Sequence, residues 1–421
     1  MLAWCSLGAL VIAMIVSCTT ELNVGVLAMA LAWIVGVYIA GLPVADVLSA
    51  FPRDLFLTLA GVTMLFTQAH VNGTLDRVAH AAVRVCRGNT GLIPVMFFLL
   101  GAVIASLGPG NVSTAAMLGP MAMGVAARAA IPPFLMAIMV GNGAQSGSLS
   151  PIAPTGLIVH PLMIKIGLGG HDAYTFLANM TAHAIVAFGG YLLFGGWKLF
   201  GTVYTGHAAD EDAHHFSRAH WITIGVISAV LIVLVVTALL GKRVDVGMAA
   251  FTGAVVLAVL RVADHEQAIR RMPWTPIVMV CGVSVLVGLL DKTGGLDLFT
   301  ELLARVASRS TLTGVVALVT GLISVYSSTS GVVLPAFLPT VPGLISRLGG
   351  DALSVATSMN VGAHLVDMSP LSTTGAVCIA AIGDPTQVRP TYNKLLAWGL
   401  SMSIVGGAGC YLFFALSGTN R

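Results

Sequence analysis

Two stretches decide the reading: GNGAQSGSLSPIAPTG over Gly141–Gly156 and NVGAHLVDMSPLSTTG over Asn360–Gly375. Each interrupts an apolar run too long for one plain span, Pro132–Ile166 and Ala352–Ile382. Glycine costs a helix interior about 1 kcal/mol and proline about 3 kcal/mol, so both runs are expected to unwind near their middle. Unwound backbone inside a bilayer is tolerated only when buried in protein or lining a cavity. The stretches also match each other. At a shift of 219, Ser150, Pro151, Thr155 and Gly156 meet Ser369, Pro370, Thr374 and Gly375.

Working outward, the 421-residue chain is 57% hydrophobic and only 9% charged, with mean hydropathy +0.94. A soluble domain carries about 25% charge, so that class is excluded, together with disordered, collagenous and disulfide-stapled chains. Long continuous apolar runs exclude a transmembrane β-barrel. A net charge of +3 is too small and too dispersed for nucleic acid. Cys5, Cys18, Cys86, Cys281, Cys378 and Cys410 form no CxxC pair and read as buried thiols, without disulfide or transition metal.

The remaining spans are expected at Leu2–Cys18, Val24–Gly41, Leu55–Val71 and Ala173–Phe200 in the first half. The second half offers Ile222–Leu240, Val246–Val262, Thr275–Leu290 and Leu395–Leu416. The first run lacks a basic leader and is read as a helix, not a signal peptide. A shift of 221 superposes Gly61, Val62 and Leu65 on Gly282, Val283 and Leu286, and Gly73, Leu75 and Asp76 on Gly294, Leu296 and Asp297. Arg84 and Val85 fall on Arg305 and Val306 at the same shift. The chain therefore reads as a duplication: 1–204 (scaffold 1–90, transport part 91–204), a polar linker 205–220, and 221–421 (scaffold 221–310, transport part 311–421).

Leu75–Val85 and Leu296–Val306 are amphipathic and suit helices lying in the interface. Leu92–Ala127 and Leu312–Leu348 each place a polar cluster between two apolar arms: GPGNVST (Gly108–Thr114) and SSTSG (Ser327–Gly331). Both read as re-entrant hairpins. The expected fold is an all-α polytopic membrane protein of about ten spans and two hairpins. Five crossings per half is an odd number, so the halves would be inverted repeats, as in many secondary transporters. Positive charge in the loops favours only slightly an amino terminus on the outside.

Four polar breaks at mid-bilayer depth suggest one site built from half-helix ends. Helix N-termini suit a carboxylate; freed carbonyls and hydroxyls suit a hard cation such as sodium. For any one of these residues, close helix packing is the ordinary explanation; the four clusters together point to function. Asp367, with His364 one turn earlier, is an ionisable group inside the second break and functional by default. Its repeat partner is Ser148. His160 and His183 lie in apolar runs and are expected to be hydrogen-bonded in the bundle. No arginine or lysine falls in any break. The linker histidines in TGHAADEDAHHFSRAH (Thr205–His220) read as solvated.

At these residues the chain resembles the ion transporter superfamily, which includes the divalent-anion:sodium symporters. GSLSPIAPTG at Gly147–Gly156 is most similar to malonate and dicarboxylate carriers of the MatC type. The resemblance implies an elevator transporter: a homodimeric scaffold and a mobile part holding both hairpins and both broken helices. It implies substrate contacts at Asn111, Ser113, Thr114, Pro154, Thr155, Ser328, Thr329, Ser330, Thr373 and Thr374. It implies cation contacts at Ser106, Gly110, Asn111, Gly143, Ser148, Ser150, Ser327, Gly362, Asp367 and Ser369, with Ser372 a further oxygen in the second break. The usual Ser-Asn-Thr tip is split here into Gly110-Asn111-Val112-Ser113-Thr114, and Ser327-Ser328-Thr329-Ser330 has no asparagine. Asp367 replaces a neutral residue, which leaves proton as well as sodium coupling open.

The function expected is cation-coupled symport of a small dicarboxylate, malonate-like or C4-like, across an inner or plasma membrane. Sodium or a proton is the coupling ion, lipid surrounds the protein, and no cofactor is expected. An antiporter or oxyanion exporter on the same scaffold is the alternative. An enzyme is disfavoured: no paired base and nucleophile and no HExxH is present, and His364 with Asp367 is the one close ionisable pair within a span.

Overall fold

A computed structural model describes residues 1–20, 22–84, 86, 88–202, 216–240 and 244–417. Most of the linker, including its first three histidines, lies outside them. Among the described residues the chain is helical, with no β-strand. The first half runs α1 (Leu2–Thr19), α2 (Val24–Trp33, continued as a wider π turn over Ile34–Ile39), α3 (Val44–Leu48), α4 (Arg53–Val71), α5 (Thr74–Arg84), α6 (Leu92–Leu107), α7 (Gly110–Arg128), α8 (Pro133–Ser146), α9 (Pro154–Lys165) and α10 (Asp172–Leu193). The second runs α11 (Arg218–Leu239), α12 (Val246–Val259), α13 (His265–Arg271), α14 (Trp274–Thr293), α15 (Gly295–Ala304) and α16 (Leu312–Ser324). It ends with α17 (Leu334–Phe337), α18 (Val341–Leu348), α19 (Ala352–Leu365), α20 (Thr373–Ala380) and α21 (Pro385–Leu416).

Polar caps mark helix starts. Asn23 accepts from Gly25 N (2.9 Å) before α2, and Asp245 accepts from Met248 N (2.8 Å) before α12. Asp351 caps α19 through Ser354 N (2.8 Å). Each such cap satisfies an N–H that the helix cannot. Asp384 with Pro385 starts α21 ten residues before the expected Leu395, giving a 32-residue helix. The span expected to reach Phe200 stops at Leu193, because Gly195 (φ +80°) turns the chain into a short 3₁₀ segment, Gly196–Gly201. The short α3 and α13 were not expected.

Among the described residues, five segments are long and apolar enough to cross a bilayer singly: Arg53–Val71, Asp172–Leu193, Trp274–Thr293, Thr329–Leu348 and Pro385–Leu416. Six shorter apolar helices accompany them. The run Pro132–Ile166 is indeed broken into α8 and α9, and Ala352–Ile382 into α19 and α20. The segment Thr329–Leu348, expected as the second arm of the second hairpin, is itself fragmented (a π turn at Thr329–Val333, α17, a 3₁₀ turn, α18), as Pro335, Pro339 and Pro342 each remove a backbone donor. Large apolar side chains cover the outside: Ile12, Ile185, Leu193, Val259, Ile404 and Phe413 are all exposed. In water such a surface would associate; in lipid it is solvated.

Packing exchanges partners between the halves. α2 crosses α14, and α12 crosses α4. Both crossings are glycine contacts. A Cβ on Gly25 would meet Val278 O at 2.2 Å, and one on Gly282 would meet Gly25 O at 1.9 Å. A Cβ on Gly61 would meet Gly247 O at 2.3 Å, and one on Gly247 would meet Thr58 Cα at 2.6 Å. Within each half the hairpin arm packs on the first part of the broken helix, α6 on α8 and α16 on α19. Here a Cβ on Gly143 would collide with Phe98 O, and one on Gly362 with Ala317 O. Small residues let membrane helices approach this closely.

Candidate functional site

α8 carries Gln145 in its last turn, and α9 restarts at Pro154. α19 ends at Leu365 and is followed by Asp367, and α20 restarts at Thr373. The two polar clusters expected as tips, Gly108–Thr114 and Ser327–Gly331, fold in against these interruptions. Asn111 Nδ2 donates to Gln145 Oε1 (2.9 Å), and Gln145 Nε2 donates to Asp367 Oδ2 (3.2 Å). Thr329 Oγ1 donates to the other carboxylate oxygen, Asp367 Oδ1 (2.6 Å). One chain of side chains thus joins all four breaks: first tip, first break, second break, second tip. Gln145 also reaches Thr374 Oγ1 (3.4 Å) at the start of α20.

Gln145 is 1% exposed and Asp367 8% exposed. No arginine or lysine of the described residues pairs with Asp367; its carboxylate is held by neutral donors alone. Gln145 was not among the residues singled out from sequence. The signal was present: with Asn142 it is one of two amide side chains in an otherwise small and apolar stretch. Its backbone carbonyl is a second hub, accepting from Asn179 Nδ2 (2.9 Å) and Ser148 Oγ (2.7 Å).

Beside this chain lies a cleft of about 40 Å³. It is lined by Gly110, Asn111 and Ser113 of α7, Pro154 and Thr155 of α9, and Ser330 of the second tip. Leu59 and Thr63 close it from α4, so the first tip sits about half way along that helix. The volume admits a few waters. Neither helix start here carries a side-chain cap: Pro109 precedes α7 and Ala153 precedes α9. The second half differs. Ser328 caps its helix segment by accepting from Gly331 N (3.1 Å), and Ser372 caps α20 by accepting from Gly375 N (3.3 Å).

The other expected site residues are placed as follows. Ser150 Oγ donates to Ser106 O (2.7 Å), tying the first break to the first hairpin. Ser106 Oγ turns back to Ala102 O. The carbonyl of Gly143 accepts from Ser146 Oγ (2.7 Å), while Gly143 and Gly362 themselves sit in the helix crossings described above. Ser369 is fully buried against Gly399 of α21. Ser327 is half-buried at the second tip, Thr373 is exposed, and Ser372 Oγ also donates to the carbonyl of Asp367. Thr114 is 1% exposed and lines a neighbouring cavity. His183 Nδ1 pairs with Asn142 Oδ1 (2.9 Å), His364 Nδ1 with Asn360 O (2.7 Å), and His160 lies 3.9 Å from Asp172. Cys5, Cys86, Cys281, Cys378 and Cys410 are free thiols.

Chemically, helix starts without a side-chain cap favour an anion in the cleft; at α9, where Pro154 has no N–H and Gly156 N donates to Ser148 O (3.0 Å), the N–H of Thr155 is the one that faces it. A buried carboxylate among hydroxyl and carbonyl oxygens favours a hard cation or a proton. Residues 1–148, which include the first tip and Gln145, match the family described as dicarboxylate carrier protein MatC N-terminus. The chain is 24% identical over 347 residues to an uncharacterised transporter of Mycobacterium tuberculosis, in strains CDC 1551 and H37Rv, covering 73% of this chain and 77% of that protein. On this architecture and these likenesses, the chain is a multi-pass membrane transporter.

Proposed function

We propose that the chain is a secondary active transporter that couples a cation to the symport of a small dicarboxylate, of malonate or C4 size, across an inner or plasma membrane. The observation that carries the reading is the hydrogen-bonded chain Asn111–Gln145–Asp367–Thr329, which links the four breaks beside the cleft and supports reading them as one site. The substrate's carboxylate is assigned to the cleft, against the starts of α7 and α9. The cation, sodium or a proton, is assigned to Asp367 with oxygens of the surrounding Ser and Thr residues. The family match over residues 1–148 supports a dicarboxylate as substrate.

The mechanism proposed is an elevator. α4 and α14 form a wall, and the hairpins with the broken helices slide along it. In support, cavities border α4 at its Arg53 end and at its His70 end, with the cleft between them. The reciprocal glycine crossings Gly25–Gly282 and Gly61–Gly247 support inverted repeats, and a dimer through the scaffold is proposed with them.

The test is thermal stabilisation of the purified protein by malonate, succinate and a monocarboxylate, each with and without sodium, at two pH values. A ligand of the folded state raises its stability by mass action. Malonate or succinate stabilising only with sodium is the sodium-symport outcome. Stabilisation that follows low pH and disappears in Asp367→Asn assigns the coupling to a proton. No response to any dicarboxylate defeats the substrate assignment.

A further inference from the structure

None of the four breaks contains an arginine or lysine, yet the fold brings one to their edge. The larger cavity at the His70 end of α4 has a volume of about 360 Å³ and runs up to the first tip, sharing Thr63, Pro109 and Ser113 with the cleft. Arg271, the last residue of α13, also lines it. Arg271 is exposed and has no acidic partner among the described residues, whereas its neighbour Arg270 pairs with Glu266 at 3.8 Å. The same cavity is lined by Thr114, whose hydroxyl is buried and without a hydrogen-bond partner. A buried hydroxyl left unpaired costs about 1–3 kcal/mol, so a ligand group that pairs with it is favoured.

The cavity at the other end of α4 is different. It carries Arg53 and Lys165 with Asp54 and Asp291, so its charges balance. A cavity of one sign, walled by low-dielectric protein, concentrates ions of the opposite sign.

We propose that the cavity beneath Arg271 is an anion-receiving mouth, in which Arg271 takes one carboxylate of the incoming dianion and the hydroxyls of Ser113 and Thr114 take the other. The substrate then passes to the adjoining cleft. This rests on the dicarboxylate reading for the identity of the anion, and on the cavity's own charge for its sign.

The test reads the charge directly. A cysteine at the half-buried cavity residue Thr67 (Thr67→Cys) is labelled in the purified protein with an anionic and a cationic methanethiosulfonate of similar size. Protein without that cysteine gives the background. Arg271→Gln should lower the anionic-to-cationic rate ratio roughly three- to tenfold at low salt. The difference should vanish near about 1 M salt, where the Debye length is about 3 Å. Arg271→Lys should restore most of the ratio, and Arg270→Gln should leave it unchanged. Malonate or succinate should slow labelling in the Thr67→Cys parent and much less in Arg271→Gln. An unchanged ratio in Arg271→Gln, or an equal fall in Arg270→Gln, overturns the mouth. A ratio that follows Arg271 while no dicarboxylate slows labelling leaves the mouth standing and defeats the substrate reading instead.

Discussion

In the first half the broken helix carries Gln145, and both helix starts facing the cleft are uncapped. In the second half the break carries Asp367, and both corresponding starts are closed by the chain's own serines, Ser328 and Ser372. The backbone plan is alike: Ser–Pro, then a restarted helix with Thr–Gly in its first turn, where a Cβ on Gly156 would collide with Ser150 O and one on Gly375 with Ser369 O. The charge is not alike. Two nearly equal pieces of backbone therefore differ in what they present: helix starts without a side-chain cap on one side and an acidic acceptor on the other.

The comparison breaks most severely at Asp367. Asp367→Asn removes the one acid of the two breaks while keeping a side chain of the same shape. Coupled uptake into proteoliposomes is expected to fall at least about tenfold, the equivalent of about 1.4 kcal/mol. Uptake that keeps its rate and its ion dependence would place the cation elsewhere. Gln145→Leu comes next. It strips partners from Asn111 and Asp367 together, so the folded state should lose about 1–3 kcal/mol, read as a lower melting temperature. A double variant with Asp367→Asn should lose less than the two singles summed, because the residues share one bond.

The smallest effect sharpens the comparison from the other side. Ala153→Ser places a hydroxyl before α9 where α20 has Ser372. Because Gly156 N already donates to Ser148 O (3.0 Å), the N–H within its reach is that of Thr155; the variant should stabilise the protein by about 0.5 kcal/mol and weaken dicarboxylate binding by competing for that N–H. Tighter binding in this variant would remove α9 from the anion site.

Much of this was legible in the chain. Glycine and proline act on their own few residues, so the breaks at Gly141–Gly156 and Asn360–Gly375 could be located by local cost alone. The amphipathic α5 and α15 could be read from spacing, and the tips from their polar clusters. Asp367 stood out because an acid in an apolar run is expensive wherever it points. The short α3 and α13, and the early start of α21 at Asp384, were hidden by their weak or purely capping signals.

Local signals along the chain therefore mark a helical membrane protein with four polar interruptions, and residues of its two halves match at a nearly constant shift. Which interruptions touch was decided only by the tertiary structure. Gln145 became the bridge because α8 and α19 bring residues 222 positions apart within 3.2 Å. Arg271, far from any break in the chain, became the wall of the cavity beside the first tip. Local propensities report the free energy of a segment by itself. Contacts between distant segments are set by how several helices pack at once, and no single stretch of the chain carries that information.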